Sequence, residues 1–150
     1  MLPFKSDDAV IRYWKRKPTG KEYVVQSVLG INHGALGSVA WNDPTTDDIK
    51  ASASLLAQAL TKSMKDFILS PRATFRHAKV NRVDVGLWTV GAQTLLLATN
   101  LNYAETTVSL PALGISAKNL KATQVFDSGA KLNGMTLTFD SVGTGAFLLG

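Results

Sequence analysis

The spacing of apolar residues along this chain changes once, near the stretch SPRATF from Ser70 to Phe75. Before it the spacing is helical. Thr19 and Glu22 stand in the relation of a capping box, and Val24, Val25, Val28, Leu29 and Ile31 then cover most of a helix's circumference before Gly34 stops it. A helix apolar on so many sides expects packing on more than one of them. Gly30 inside it costs about 1 kcal/mol against alanine, which predicts that another element approaches its backbone closely. The segment GSVAW, residues 37–41, reads as a short buried strand. From Asp43 to Pro71 the pattern predicts a second helix, with Thr45 and Asp48 as its capping pair and a stripe of Ile49, Ala53, Leu56, Leu60 and Met64 or Phe67. Helix, strand and helix with short connections is the grammar of a parallel sheet covered by helices.

After Pro71 the period is two. Val83, Val85 and Leu87 alternate with Asp84, Gly86 and Trp88, while TLLLATNL, Thr94 to Leu101, is a continuous run suited to a strand buried on both faces. Short strands are predicted at ETTVSLP, KATQVFD, MTLTFD and GAFLLG, and Asn133-Gly134 is the strongest hairpin signal in the chain. About seven short strands at this spacing predict an antiparallel β-sandwich. The fold class is therefore α+β: two helices and a lone parallel strand, then the sandwich.

Composition changes this picture little. Of 150 residues, 45% are hydrophobic and 18% charged, so a packed core is within reach. Cysteine is absent, which removes disulfides, thiolate metal sites and thiol nucleophiles. The net charge of +5 is scattered, and its only run, Lys15 to Lys17, reads as a solvated turn; a nucleic-acid partner is not expected. No apolar run of signal-peptide or membrane-spanning length is apparent, so no membrane partner is expected and the localisation stays open. An Asn-x-Ser/Thr sequon is also missing.

The order of segments carries a resemblance. A helix ending in GINHGALGSVAWND, a second helix, and a β module containing TLLLATNLNYAETTVSLPALG and closing on VGTGAFLLG resemble the C-terminal end of fungal glycoside hydrolases of the retaining, two-carboxylate (β/α)8-barrel clan, whose barrel is followed by a β-sandwich. The resemblance implies that residues 1–70 are the remnant of the last barrel units and residues 71–150 the sandwich. GSVAW would be the eighth strand, which puts Trp41, Asn42 and Asp43 on the catalytic face as substrate-binding residues, Trp41 stacking on a sugar ring. The acid/base and nucleophile of the clan come from strands four and seven, which would precede Met1, so no catalytic residue is expected in this chain. The partner implied is carbohydrate, in the full-length enzyme. An apolar face stripped of its barrel would leave the first seventy residues prone to self-association.

The residues themselves offer no replacement chemistry. Retaining glycoside cleavage needs two carboxyl groups about 5 to 5.5 Å apart, one of them protonated near neutral pH. Asp7 and Asp8 lie near a terminus, Asp47 and Asp48 suit a helix's first turn, Glu22 is a capping partner, and Asp43 precedes a proline as turn residues do. Asp84, Glu105, Asp127 and Asp140 fall at strand ends or on strand faces where solvated charge is expected. His33 near a helix C-terminus and His77 on a strand read as isolated, so neither a metal nor another cofactor is expected. Glycines in GALG and GTG have the wrong spacing for a phosphate loop and serve turns. Trp88, Tyr103 and Phe126 form a sugar-stacking platform if the chain is a non-catalytic carbohydrate-binding module, and core or cross-strand pairs if it is a structural one.

Overall fold

The computed structural model describes residues 16–39, 46–116 and 119–150. Helix α1, Gly20–Asn32, opens on the expected capping box: Glu22 donates its backbone N–H to Thr19 Oγ1 at 3.2 Å, and Thr19 N–H reaches Glu22 Oε1 at 3.0 Å. It closes on a Schellman motif, in which Gly34 takes φ +101° while Ala35 N–H bonds Gly30 O at 2.9 Å and Gly34 N–H bonds Ile31 O at 3.1 Å. The close backbone approach expected at Gly30 occurs instead at Gly20. A Cβ on Gly20 would collide with Ser52 and Asp48, and its N–H donates to Asp48 Oδ2 at 2.6 Å, whereas a Cβ on Gly30 would meet only Ala35 at an ordinary 3.7 Å.

Helix α2, Asp47–Ala59, is capped by Thr46 rather than Thr45, its Oγ1 accepting from Ile49 N–H at 3.2 Å. It runs into a π-helical turn, Leu60–Met64, and a short α3, Lys65–Ile68, with Lys62 off helical geometry at φ −98°, ψ −108°. Ile49, Leu56, Met64 and Phe67 are the buried stripe, while Ala53 and Leu60 are only half-buried. The helix is thus interrupted where a single continuous one was predicted. Met64 and Phe67, three residues apart, both point inward, so neither replaces the other.

Six strands follow: β1 Thr74–Val80, β2 Val83–Val90, β3 Gln93–Asn100, β4 Thr106–Ser109, β5 Ala122–Asn133 and β6 Thr136–Leu149. All pairings are antiparallel, in the order β1-β2-β3-β6-β4 with β5 also along β6. No parallel strand occurs among the described residues: residues 37–39 join no ladder, and the rest of the expected GSVAW strand lies outside them. MTLTFD and GAFLLG, expected as separate strands, are the two limbs of β6. The first limb pairs with β4 and the end of β5, the second with β3 and the start of β5. Between them Val142 sits at φ +48° and, beside it on β5, Gly129 at φ +94°, so both strands turn together and the sheet folds over itself.

The β5–β6 hairpin turns at Gly134-Met135, with Gly134 at φ +59°, as the Asn133-Gly134 signal predicted. The β1–β2 hairpin turns through Asn81 and Arg82, both with positive φ.

Two cores result. Val83, Val85, Leu87, Leu96, Ala98, Val108, Leu137, Phe139 and Phe147 fill the space inside the folded sheet. Trp88, Leu95, Leu97, Phe126 and Ala146, on the opposite face, pack under Val24, Val28, Ile31, Leu56, Met64 and Phe67 of the helices. This is why β3 is apolar on both faces. The expectation that the α1 face lacks cover is corrected here, since Val24 and Val28 are fully buried against the sheet. Among the described residues, large apolar side chains remain exposed at Leu36, Val39 and Leu55 in the helical part and Leu69 at its end, with Phe75 and Tyr103 in the sheet part.

Candidate functional site

Trp41, Asn42 and Asp43 lie outside the described residues. Among those described, the densest chemistry gathers where the C-terminus of α1 meets β1 and β2. Asp84 belongs to the alternate positions of β2 that face the helices, and its side chain is 1% exposed. Expected on a solvated strand face, it is buried because α1 covers that face. His77, on β1, pairs in register with Gly86 and so reaches Asp84 diagonally, placing Nε2 2.8 Å from Asp84 Oδ2. His33, the C-cap of α1, brings Nε2 to 2.9 Å from the same oxygen. The two imidazole centroids are 4.5 Å apart with planes inclined at 57°. The histidines are not isolated, as the sequence implied; the fold brings them together on one acid.

Asn32 completes the cluster from below. Its Nδ2 donates to Asp84 Oδ1 at 3.1 Å and to the carbonyl of Leu97 at 3.1 Å, while its Oδ1 is buried without a hydrogen-bond partner. Gly86 makes the room, because a Cβ there would run into both Asn32 Oδ1 and the ring of Trp88. Burial by itself would raise the Asp84 pKa. Hydrogen bonds from His33, His77 and Asn32 outweigh it and hold the carboxyl below the usual carboxylate range. A carboxylate so held is a poor general acid and a good acceptor or ligand.

The second ionic cluster joins α1 to the β3–β4 loop. Arg16 grips Glu22 with two nitrogens, at 2.7 and 3.0 Å, and Tyr103 donates its hydroxyl to Glu22 Oε2 at 2.6 Å. The Arg16 hydrogen bond is the main reason the Glu22 pKa falls to about 2. Other acids are also engaged locally: Asp140 with Lys21 at 3.2 Å, Asp127 with the N–H groups of Gly129 and Ala130, and Asp48 with Gly20. Among the described residues, neither acid with a shifted pKa is shifted upward, the direction a glycosidase acid requires. Of the three aromatics that could stack on a sugar, Trp88 and Phe126 are core, Trp88 in tilted contact with Phe75 across the strands at 4.9 Å, and Tyr103 alone is exposed.

No family model matches the sequence, and no curated protein sequence matches it. Among solved structures the chain is similar to Bacillus licheniformis trehalose-6-phosphate hydrolase, with a TM-score of 0.54 and 19% identity over 74% of this chain and 20% of that one. A mutant of the same enzyme gives a TM-score of 0.51 and 16% identity over 75% of this chain and 23% of that one. At these identities the likeness is one of fold. It covers more of the chain than the sheet module contains, so it reaches into the helical layer as well. The chain spans about a fifth of the length of the enzyme it matches.

Proposed function

We propose that the chain is the C-terminal portion of a barrel-plus-sandwich glycoside hydrolase of the retaining, two-carboxylate kind, and that its own residues do not carry the cleavage. The carrying observation is the likeness to a carbohydrate-cleaving hydrolase, which takes in the helical layer and the sheet together. The acids support the second half of the reading, because Glu22 and Asp84 are held ionised by cations, imidazoles or amides. In this reading residues 1–70 close the barrel, residues 71–150 are its appended module, and Trp41, Asn42 and Asp43 contact the sugar. Leu36, Val39 and Leu55 are the apolar surface that the rest of the enzyme covers, and alone they favour self-association.

A carbohydrate-binding module without catalysis is less well supported, since Trp88 and Phe126 are committed to the core and the exposed Tyr103 spends its hydroxyl on Glu22. The test compares two proteins. Residues 1–150 alone are expected to release nothing from aryl glycosides; the chain extended by the coding sequence upstream of Met1 is expected to hydrolyse one and to lose at least about tenfold in kcat/KM on Trp41→Ala. An upstream sequence without strand-helix units, or turnover by residues 1–150, would sink the proposal.

A further inference from the structure

The geometry points to a divalent metal site of the zinc type at His33, His77 and Asp84, with the ion tying the end of α1 to the β1–β2 hairpin. Three side chains from three elements each present one donor atom, and the three atoms lie within 4.8 Å of one another. Two imidazole nitrogens and one carboxylate oxygen form a borderline donor set, suited to Zn²⁺ and poor for Mg²⁺ or Ca²⁺, which take oxygens. The charge also fits, since one buried carboxylate offsets half of a dication.

The surroundings are those of a built site. Asn32, itself 1% exposed, binds the second oxygen of Asp84 and fixes the carboxylate so that Oδ2 faces the histidines. The histidine side chains are 54% and 33% exposed, so one side of the cluster is open to solvent and leaves a coordination position for water. The present spacings of 2.8 and 2.9 Å are those of hydrogen bonds in which each Nε2–H donates to Oδ2. Donors about 2.0 to 2.1 Å from a tetrahedral ion stand about 3.3 Å apart, so each imidazole nitrogen needs to draw back from Asp84 Oδ2 by about half an ångström. Each neutral imidazole then keeps one proton, moved through solvent from Nε2 to Nδ1, and gives its Nε2 lone pair to the ion. Each histidine thus exchanges an Nε2–H bond for an Nδ1–H bond, the hydrogen bonds to Asp84 Oδ2 give way to the ion, and no other covalent bond changes.

The test uses the full chain without an affinity tag. Equilibrium dialysis with Zn²⁺ is expected to leave one ion per chain, with affinity falling at least about tenfold in His33→Gln and in His77→Gln. Because the His33 side chain is half-exposed and only its backbone N–H bonds into the helix, which Gln preserves, its variant is expected to fold. Long-range ¹H–¹⁵N spectra of the unmutated protein give an independent reading: zinc should convert both imidazoles to the Nδ1–H form with Nε2 ligated. Failure to retain zinc, binding unaltered in both variants, or imidazoles that keep Nε2–H in excess Zn²⁺ would each overturn the site, leaving only a hydrogen-bonded latch.

Discussion

At the scale of single residues, Gly86 is a tightly constrained position, since its missing side chain lets Asn32 and the Trp88 ring approach β2. Gly86→Ala is expected to destabilise the fold by about 1 to 3 kcal/mol, as overpacking does, and urea unfolding measures it. Leu97, fully buried under the helices, should cost about 2 to 5 kcal/mol on truncation to alanine. Glu22 sets a pH dependence. Its pKa in the folded chain, about 2, lies below the ordinary 4.5, so its contribution is complete above about pH 4.5 and is lost as pH falls from there through about 2. Because Arg16 is well exposed the effect is small. The urea midpoint should fall less steeply between pH 5 and 2 in Glu22→Gln than in the parent, and equal slopes would refute the assignment.

At the scale of elements, α1 is specified at both ends by local chemistry, and its apolar face is satisfied by β2, β3 and β6. Thr19→Ala removes the oxygen that receives Glu22 N–H and should cost about 1 kcal/mol, read from the urea midpoint. β6 is the element on which the sheet depends, since β3, β4 and β5 all pair with it. Its bend falls where Gly129 and Gly143 touch: a Cβ on Gly143 would strike the carbonyl of Gly129.

For the whole molecule, the two cores share the sheet as a wall, so the helical part is a cover for the sheet as well as a unit beside it. Removing residues 1–70 would bare Trp88, Leu95, Leu97 and Phe126. At about 25 cal/mol per Å², a few hundred Å² of such surface is worth several kcal/mol, comparable with the stability of a small domain. The isolated 71–150 segment is therefore expected to aggregate or to unfold at clearly lower urea than the full chain. Within the full chain, β2, β3 and β6 should be the slowest amides in hydrogen exchange, because they are central and covered on both sides, and α1 should open first. Protection of α1 equal to that of β3 would show instead that the chain unfolds as one unit.

The sequence alone determined what depends on near neighbours: the capping box at Thr19 and Glu22, the glycine stop at Gly34, the alternation along β2, the doubly buried β3 and the hairpin at Asn133-Gly134. Each rests on backbone geometry or side-chain period within a few positions, so a few residues suffice to specify it. The same period shows that Asp84, Gly86 and Trp88 share a face but not what lies over it. Only the tertiary structure covered that face with α1, which buries Asp84, and it draws in His77 from seven residues away and His33 from fifty-one. Continuity of β6 was hidden for a related reason: a strand that bends through a positive-φ valine keeps β5 alongside both limbs while it exchanges β4 for β3, and its sequence reads as a break. Long-range burial decides which polar groups must find partners, and no local pattern encodes it.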